Sequence, residues 1–395
     1  MRMTRRSFMA GAAASGLLAA GRANAQAESR RYKACIIGDT AHGGYGHSQH
    51  MDFALRPDVA VVGLADPDEA GRMKHAKECG AERTYADYAE MLDKERPDLV
   101  VIAPRWTVRH REYLLACADI GAHGFIEKPL CVALDEADAM AAAVEAKKLK
   151  WAIAFNMRAT PTLEHVKKLV IKEELIDSLL EMRGRGKEDH RSGGEDLVVL
   201  GPHVFDLMAW LAGGLPTWCV SDILREGKAA GSEDVHEATE QLGPVMGDTL
   251  HAMFGFTGGV TGYFASVKDA GKAASRFGLD LYGTRGVVTI RLGAVPGVAW
   301  LESPLWSGNA PDTGWKPLPD APAYTIKDAA RETFKPIVDD LIAAIEEDRA
   351  PAVSLADGRR SLEMVQAIFE SHVQGGRVAV PLAQRSHPLK RWGAR

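Results

Sequence analysis

The chain has 395 residues, of which 46% are hydrophobic, and this length favours two domains over one. The 48 lysines and arginines against 53 acidic residues leave a net charge of −5, without a long basic run, so we predict no nucleic-acid partner. Composition therefore argues against disorder and nucleic-acid binding and favours a small-molecule ligand.

The first 25 residues have the pattern of an export signal. An arginine pair, Arg5-Arg6, precedes an apolar stretch over residues 8–20 and a small-x-small site at Ala23-Asn24-Ala25. The stretch is shorter than the roughly 20 apolar residues that a bilayer-spanning helix needs. We expect cleavage after Ala25, export to the periplasm by the twin-arginine pathway, and no membrane attachment afterwards.

The five cysteines are an odd number without a CxxC pair or a metal-ligand spacing. The pattern predicts scattered, buried thiols and no metal site.

The rest of the first half alternates between apolar, β-branched runs and segments of helical period. The runs lie at 34–37, 59–64, 99–102 and 124–126, with helical segments such as 88–93 and 110–120, then a helix near 134–148 and a strand at 151–155. Alternating strands and helices favour a parallel sheet with crossover helices. We predict an α/β, Rossmann dinucleotide-binding domain over residues 32–156.

The second half is different. A helix near 162–173, a strand near 179–183 and one long helix over 195–211 are followed by strands at 249–256, 260–266, 279–282 and 287–291, and by helices at 333–347 and 362–372. Short glycine turns between the strands are typical of antiparallel hairpins. This pattern predicts an α+β substrate and oligomerisation domain over 157–382 with an open, largely antiparallel sheet.

The first strand leads into a glycine-rich loop. Gly38-x-Thr40-x-x-Gly43 has the spacing of a dinucleotide fingerprint, with threonine in place of the middle glycine, and a helix is expected to follow. We predict that Gly38, Thr40, Gly43 and Tyr45 bind a cofactor. An ordinary glycine turn is the alternative.

Asp66 follows the second strand, where a carboxylate would accept hydrogen bonds from the adenosine ribose. Its charge would repel a 2′-phosphate, so we predict NAD, while the nearby Arg72 leaves NADP possible. A cap on the following turn is the alternative role for Asp66.

Two further strands end at the same predicted sheet edge. The strand at 99–102 leads to Pro104, Trp106 and His110, which we predict to border the nicotinamide end of the cofactor, although Trp106 could equally be a packed core residue. The strand at 124–126 leads to Glu127 and Lys128, both predicted at the cofactor. A lysine with a lowered pKa can take the proton of a substrate hydroxyl, whereas Glu127 should point the other way and anchor the turn.

The segment GGEDLVVLGPHVFD places Asp196, Val199, His203 and Asp206 on one face of the expected helix. Asp196 and His203 are candidate catalytic residues. The basic loop before the helix supplies Arg185, Lys187 and Arg191, which we predict to contact substrate together with His203.

From about residue 32 to 382 the chain resembles the Gfo/Idh/MocA oxidoreductases. The "EKP" motif, the "DP" after the second strand, the "AP" segment ending at His110 and the "GG…G-x-H-x-x-D" helix occur in the family's order. The resemblance implies NAD(P)-dependent chemistry on sugars, cyclitols or related polyols, Lys128 as the catalytic lysine, His203 as its acid/base partner and a homo-oligomer. The chain is similar to exported members of the glucose–fructose oxidoreductase type, which keep their cofactor bound.

One position departs from the family pattern. Members usually have Asp-x-Gly-x-His on the helix, but this chain has Val199 in the aspartate position. Either Asp196 replaces it or Lys128 and His203 act alone. Two alternatives to a dehydrogenase stay open: an NAD-dependent glycoside hydrolase that oxidises its substrate transiently, and a non-catalytic sugar-binding relative.

Overall fold

The computed structural model describes residues 31–271, 275–309, 313–328 and 334–393. The predicted export signal lies outside these ranges. Among the described helices, none combines the length and the apolar character that a bilayer span requires.

The first half folds around a six-stranded parallel sheet with the order β3-β2-β1-β4-β5-β6. Strands β2 and β4 are buried along their whole length, as expected for strands covered on both faces. The strand order reverses beside β1, so a crevice forms at the carboxyl ends of β1 and β4, where α/β folds bind ligands. The elements are β1 Tyr32–Ile37, β2 Val59–Ala65, α1 Glu69–Cys79, β3 Arg83–Tyr85, α2 Tyr88–Glu95, β4 Leu99–Ile102, α3 His110–Asp119, β5 His123–Ile126, α4 Leu134–Ala146 and β6 Trp151–Ile153.

The helix expected directly after β1 does not form, so that prediction was wrong. The chain instead makes a series of turns and two short 3-10 helices, Gln49–Met51 and Phe53–Leu55. Gly43, Gly44, Gly46 and Ser48 all have positive φ angles, and such left-handed residues interrupt an α-helix. We call residues 38–48 the glycine loop.

The second half is built on a mixed sheet with the order β17-β16-β15-β14-β7-β13-β12-β8-β18, in which β9 also pairs with β8. All of these pairs are antiparallel except β7 with β13, which agrees with the predicted open and largely antiparallel sheet. The strands are β7 Leu179–Arg185, β8 Pro216–Arg225, β9 Lys228–Ala229, β12 Thr249–Phe256, β13 Thr261–Ser266, β14 Gly278–Gly283, β15 Gly286–Arg291, β16 Gly297–Glu302, β17 Trp315–Pro317 and β18 Val378–Ala379; β10 His236–Glu237 and β11 Pro244–Val245 form a separate ribbon.

Two of the helices predicted in this half differ clearly from the observed ones. The single helix expected over 195–211 is broken at Leu200, because Pro202 has no N–H to donate and is tolerated only in the first turn of a new helix. The helix predicted at 362–372 begins seven residues earlier, where Ser354 and Asp357 form a capping box. The helices are α5 Pro161–Lys167, continued by a π-helical segment Lys168–Lys172, then α6 Gly194–Val199, α7 Gly201–Ala212, α8 Lys335–Glu346, α9 Leu355–Gln374 and α10 Pro388–Gly393.

Helix α9 joins the two halves. It packs on α7 and β8 of the second half and also contacts α4 and β6 of the first. Buried hydrogen bonds fix it, from Ser361 Oγ to the Pro202 carbonyl (3.0 Å) and from Gln366 Nε2 to the Val132 carbonyl (2.7 Å). The ends of β5 and α6 are therefore held in a defined relation.

All five cysteines are buried and free, as predicted.

Candidate active site

Lys128 lies directly after β5 at the carboxyl edge of the parallel sheet. Its side chain is buried, and Nζ donates a hydrogen bond to the carbonyl oxygen of Val199 at 2.9 Å. Val199 is the last residue of α6, so this bond connects the first half of the chain to the second. The ammonium group is thus held at the junction of the two domains.

Burial lowers the pKa of Lys128, and the positive charges of Arg105 and Arg191 lower it further, against the opposing effects of Glu127 and Glu240. A lowered pKa increases the neutral fraction of the amine near neutral pH. The structure therefore provides the property that the sequence argument required of a proton acceptor at this position.

His203, in the first turns of α7, is the second predicted catalytic residue. It is buried, its ring packs edge-on against Phe155, and its Nδ1 has no hydrogen-bond partner among the residues that the structure describes. Burial lowers the pKa of His203 well below its usual value, with smaller contributions from Lys128 and His47. The imidazole is therefore neutral and has an unused polar atom.

The missing aspartate at position 199 has a structural counterpart. The main-chain oxygen of Val199 accepts the hydrogen bond of Lys128, although the valine side chain cannot. A backbone carbonyl can orient the amine, but it cannot take up a proton. The lysine is thus positioned without a carboxylate.

Asp196 does not fill the gap. Its carboxylate accepts hydrogen bonds from the backbone N–H groups of Lys187 (3.1 Å) and Glu188 (2.9 Å) and from Ser266 Oγ (2.7 Å). Within the described part of the chain, no hydrogen bond joins it to His203. This geometry argues against Asp196 as the partner of His203 and assigns it to holding the basic loop.

The basic side chains of this loop form ion pairs with nearby carboxylates. Arg185 pairs with Glu188 at 2.6 Å, Lys187 with Asp189 at 3.5 Å, and Arg191 with Asp189 at 2.7 Å. The predicted substrate contacts of these three side chains remain predictions. Of the three, Arg191 is among the charges that act on Lys128.

Two residues that were not predicted from the sequence, Arg105 and Glu240, form a charged wall of the site together with Arg191. Glu240, in the turn between β10 and β11, pairs with Arg105 of the first domain (3.1 Å) and with Arg191 (3.2 Å). A cavity of 190 Å³ opens beside them, lined by Ala41, His42, Gly43, Arg105, Thr239, Glu240 and Gln241. Glu240 belongs to no motif, and the signal for Arg105 was its place after the β4 strand, within the segment that ends at His110.

Glu127 contacts side chains of the first domain, whereas Lys128 contacts the second. Gln49 Nε2 donates to its carboxylate and His47 Nδ1 lies 3.6 Å from it, while Oε1 has no partner among the described residues. Burial, with a smaller effect from Glu127, raises the pKa of the neighbouring Asp52 well above its usual value. Glu127 therefore fastens the segment after the glycine loop through Oε2, while its predicted contact with a cofactor stays a prediction.

Asp66 lies at the end of β2, as predicted, but it is fully buried and its carboxylate is already engaged. Thr40 Oγ1 donates to Oδ2 at 2.6 Å and Tyr45 OH at 2.7 Å, and the backbone N–H groups of Thr40 and Asp68 also donate to the carboxylate. Asp66 also caps the following turn, as the alternative role required, because its Oδ1 accepts from the backbone N–H of Asp68 at 2.9 Å, and Asp68 in turn caps α1. Two hydroxyl groups of the glycine loop thus occupy Oδ2, one of the two oxygen atoms expected to bind the ribose.

The aromatic ring of Tyr45 also fills the space over Gly38. A Cβ atom at Gly38 would lie 2.2 Å from this ring, and one at Gly71 would lie 1.8 Å from Thr40 Oγ1. Gly38, the first glycine of the fingerprint, therefore lets the Tyr45 side chain approach the backbone closely. A dinucleotide that used Asp66 would have to displace Tyr45 and Thr40.

The other predicted cofactor residues cluster at the end of β4. Trp106 stacks on His42 of the glycine loop, with ring centroids 4.1 Å apart, and Gly43 lies against the backbone of Arg105 and Trp106. His110 is completely buried between the carbonyl oxygens of Pro104 (2.7 Å) and Leu130 (3.0 Å). His110 therefore connects the two strand ends and is not placed to touch a cofactor, whereas Trp106 is partly exposed and its predicted place beside the nicotinamide stays a prediction.

Comparison with known proteins settles the family. Residues 33–155 match the oxidoreductase family model for an NAD-binding Rossmann fold, and residues 182–380 match the model for the C-terminal alpha/beta domain of the same family. The chain belongs to the Gfo/Idh/MocA oxidoreductase family.

Within the family, the chain is similar to characterised sugar dehydrogenases. It is 26% identical to levoglucosan dehydrogenase from Pseudarthrobacter phenanthrenivorans, over 82% of this chain and 90% of that one. It is 27% identical to D-apiose dehydrogenase from Paraburkholderia graminis, over 52% of this chain and 56% of that one. The structure of levoglucosan dehydrogenase in complex with NADH and levoglucosan has a TM-score of 0.71 at 23% identity and covers 89% of this chain and 99% of that one.

The Gfo/Idh/MocA chain is an NAD-dependent oxidoreductase, and its residues fit the reactive end of the cofactor. Arg105 Nε, Glu127 Oε1 and His203 Nδ1 are buried polar atoms without partners among the described residues, in the region around Lys128. Buried polar atoms of native proteins are usually paired, so several unpaired ones at a strand edge are consistent with a polar ligand there. At the adenosine end the residue types fit, but Tyr45 and Thr40 occupy the contact.

Proposed function

We propose that this chain oxidises a secondary hydroxyl group of a sugar, cyclitol or related polyol and reduces the corresponding ketone in the reverse direction. The observation that carries the proposal is the buried amine of Lys128, which is fixed by the Val199 carbonyl at the carboxyl edge of the NAD-binding sheet. The named relatives act on levoglucosan and D-apiose, which supports a carbohydrate substrate.

NAD, when bound, accepts the hydride. The protein must then remove the hydroxyl proton, and Lys128 is suited to this because burial and two arginines lower its pKa. Neutral His203 has an unused Nδ1 that can hydrogen bond the substrate hydroxyl and hold it toward the amine. The wall of Arg105, Arg191 and Glu240 supplies donors and acceptors suited to further hydroxyl groups of a polyol.

Reduction of NAD by a panel of sugars tests this function. Purified protein loaded with NAD should form NADH on addition of a substrate such as levoglucosan or an inositol, and Lys128→Met should slow this by about two to four orders of magnitude. If no sugar in the panel reduces the cofactor even in a single turnover, the chain is a binding protein rather than a dehydrogenase.

We further propose export by the twin-arginine pathway with a tightly retained cofactor, since free nicotinamide cofactor is scarce outside the cytoplasm. The Arg5-Arg6 pair and the small-x-small site support this. Changing both arginines to lysine should retain the precursor in the cytoplasm, as fractionation and immunoblotting would show.

We also propose a homo-oligomer formed through the open sheet, and native mass spectrometry would report subunit number and bound cofactor together.

A further inference from the structure

A cluster of metal-ligating side chains lies outside the active site, where the glycine loop meets α1. It consists of His50, in the short helix after the loop, and His75 and Glu78 of α1. One donor atom from each of the three lies within 4.8 Å of the others. We propose that His50, His75 and Glu78 form a divalent transition-metal site, with zinc as the preferred ion.

The donor atoms are spaced as ligands of one ion. His50 Nε2 and His75 Nδ1 are 3.4 Å apart. Two nitrogens bound to zinc at about 2.0–2.1 Å with tetrahedral geometry lie about 3.3–3.4 Å apart. The Glu78 carboxylate oxygen is 2.9 Å from the first nitrogen and 2.8 Å from the second, so a shift of a few tenths of an ångström in its exposed side chain completes a face of three ligands.

The ligand types and their surroundings favour zinc or a neighbouring transition ion. Two imidazoles and one carboxylate are typical zinc ligands, and magnesium or calcium would require mainly oxygen atoms. His50 is buried, His75 is partly exposed and Glu78 is exposed, so the ion has a route from solvent and its fourth position is open to water.

The site should be weaker than a structural zinc site. His50 Nδ1 has no hydrogen-bond acceptor among the described residues, whereas ligating histidines normally donate their second N–H. Such an outer partner is typically worth about 10- to 100-fold in metal affinity. No sequence pattern indicates this cluster, because His50 and His75 are 25 positions apart and only the packing of the loop on α1 brings them together.

Titration of the purified, chelator-treated protein with Zn²⁺ in a calorimeter tests the proposal. We expect one ion per chain, and binding at least tenfold weaker in His75→Gln and in Glu78→Gln. The matched control is His251→Gln, an exposed histidine on β12, which should bind like the wild type. Visible absorption of Co²⁺ should show a band typical of nitrogen and oxygen ligation in the wild type and the control only.

Thermal melting adds a readout that does not depend on activity. Zn²⁺ should raise Tm in the wild type and in His251→Gln but not in Glu78→Gln, whose metal-free fold should melt normally because the side chain is exposed. Absence of Zn²⁺ binding by the wild type, or equal affinity in wild type and both ligand variants, would overturn the proposal.

Discussion

The occupied state of Asp66 leads to a prediction about cofactor affinity. Tyr45 OH donates to this carboxylate at 2.7 Å and its ring fills the space over Gly38, so the dinucleotide and Tyr45 compete for one place. Tyr45→Phe removes the hydroxyl and leaves the ring. We expect NAD to bind more tightly to this variant, because its closed loop has lost a bond that cofactor binding must break.

The size of the effect follows from the bond. A hydrogen bond to a charged group is worth about 1.5–3 kcal/mol, and about 1.4 kcal/mol corresponds to a tenfold change in an equilibrium constant. The apparent affinity scales with the fraction of protein in the open form. Since the contacts of Thr40 with Asp66 remain, we take the lower limit and expect Kd for NAD to fall about tenfold.

Calorimetric titration of cofactor-free protein with NAD measures this change. The matched control is Tyr88→Phe, which removes a tyrosine hydroxyl bonded to a carboxylate, Glu112, at 2.6 Å elsewhere in the same domain. Its Kd should equal that of the wild type. Weaker binding of NAD to Tyr45→Phe would refute the reasoning and would make Tyr45 a direct contact of the cofactor, as the sequence first indicated.

Three further substitutions test the site. Lys128→Met should lower turnover by about two to four orders of magnitude, as usual for a positioned acid or base, with little change in NAD affinity. Its Tm should not fall, because the variant no longer buries an amine. A fully active variant would contradict the mechanism. In the wild type, the rate of sugar oxidation should rise with pH, because only the neutral amine of Lys128 accepts a proton. The rate should level off above the pKa of Lys128, which lies below the usual 10.5 of lysine. This inflection should be absent from the residual activity of Lys128→Met. Glu127→Ala should instead reduce stability, by about 1–3 kcal/mol, because it leaves the Gln49 amide without its acceptor; thermal melts beside the surface variant Glu112→Ala would show it, and a variant as stable as wild type would count against the anchoring role. Asp66→Ser should shift preference toward NADP by removing the charge that repels a 2′-phosphate, and finding NADP bound to the wild type would contradict this.

The positions of several site residues could be predicted from short stretches of sequence. The apolar runs predicted the parallel strands, and a strand end at the carboxyl edge predicted where Lys128 and Asp66 would lie, because parallel strands in a doubly wound sheet share that edge. These properties depend on a few consecutive residues and on the repeating geometry of strands.

Other features could not be predicted because their partners are distant in the chain. The break at Leu200 was signalled by Pro202, but the use of the Val199 carbonyl as the acceptor of Lys128, 71 residues away, depends on how the domains dock. The pairing of Glu240 with Arg105 also crosses that junction.

The sequence by itself determined the fold class, the family and the residue types at the sheet edge, since these follow from periodicity and from motifs of adjacent residues. The tertiary structure alone decided which atoms meet. It placed Tyr45 and Thr40 on Asp66, directed Asp196 to the backbone of Lys187 and Glu188, and brought His50 to α1. Side-chain hydrogen bonds of this kind require donor and acceptor within about 3 Å, and the path of a glycine-rich loop, which local propensity leaves open, determines whether that distance is reached.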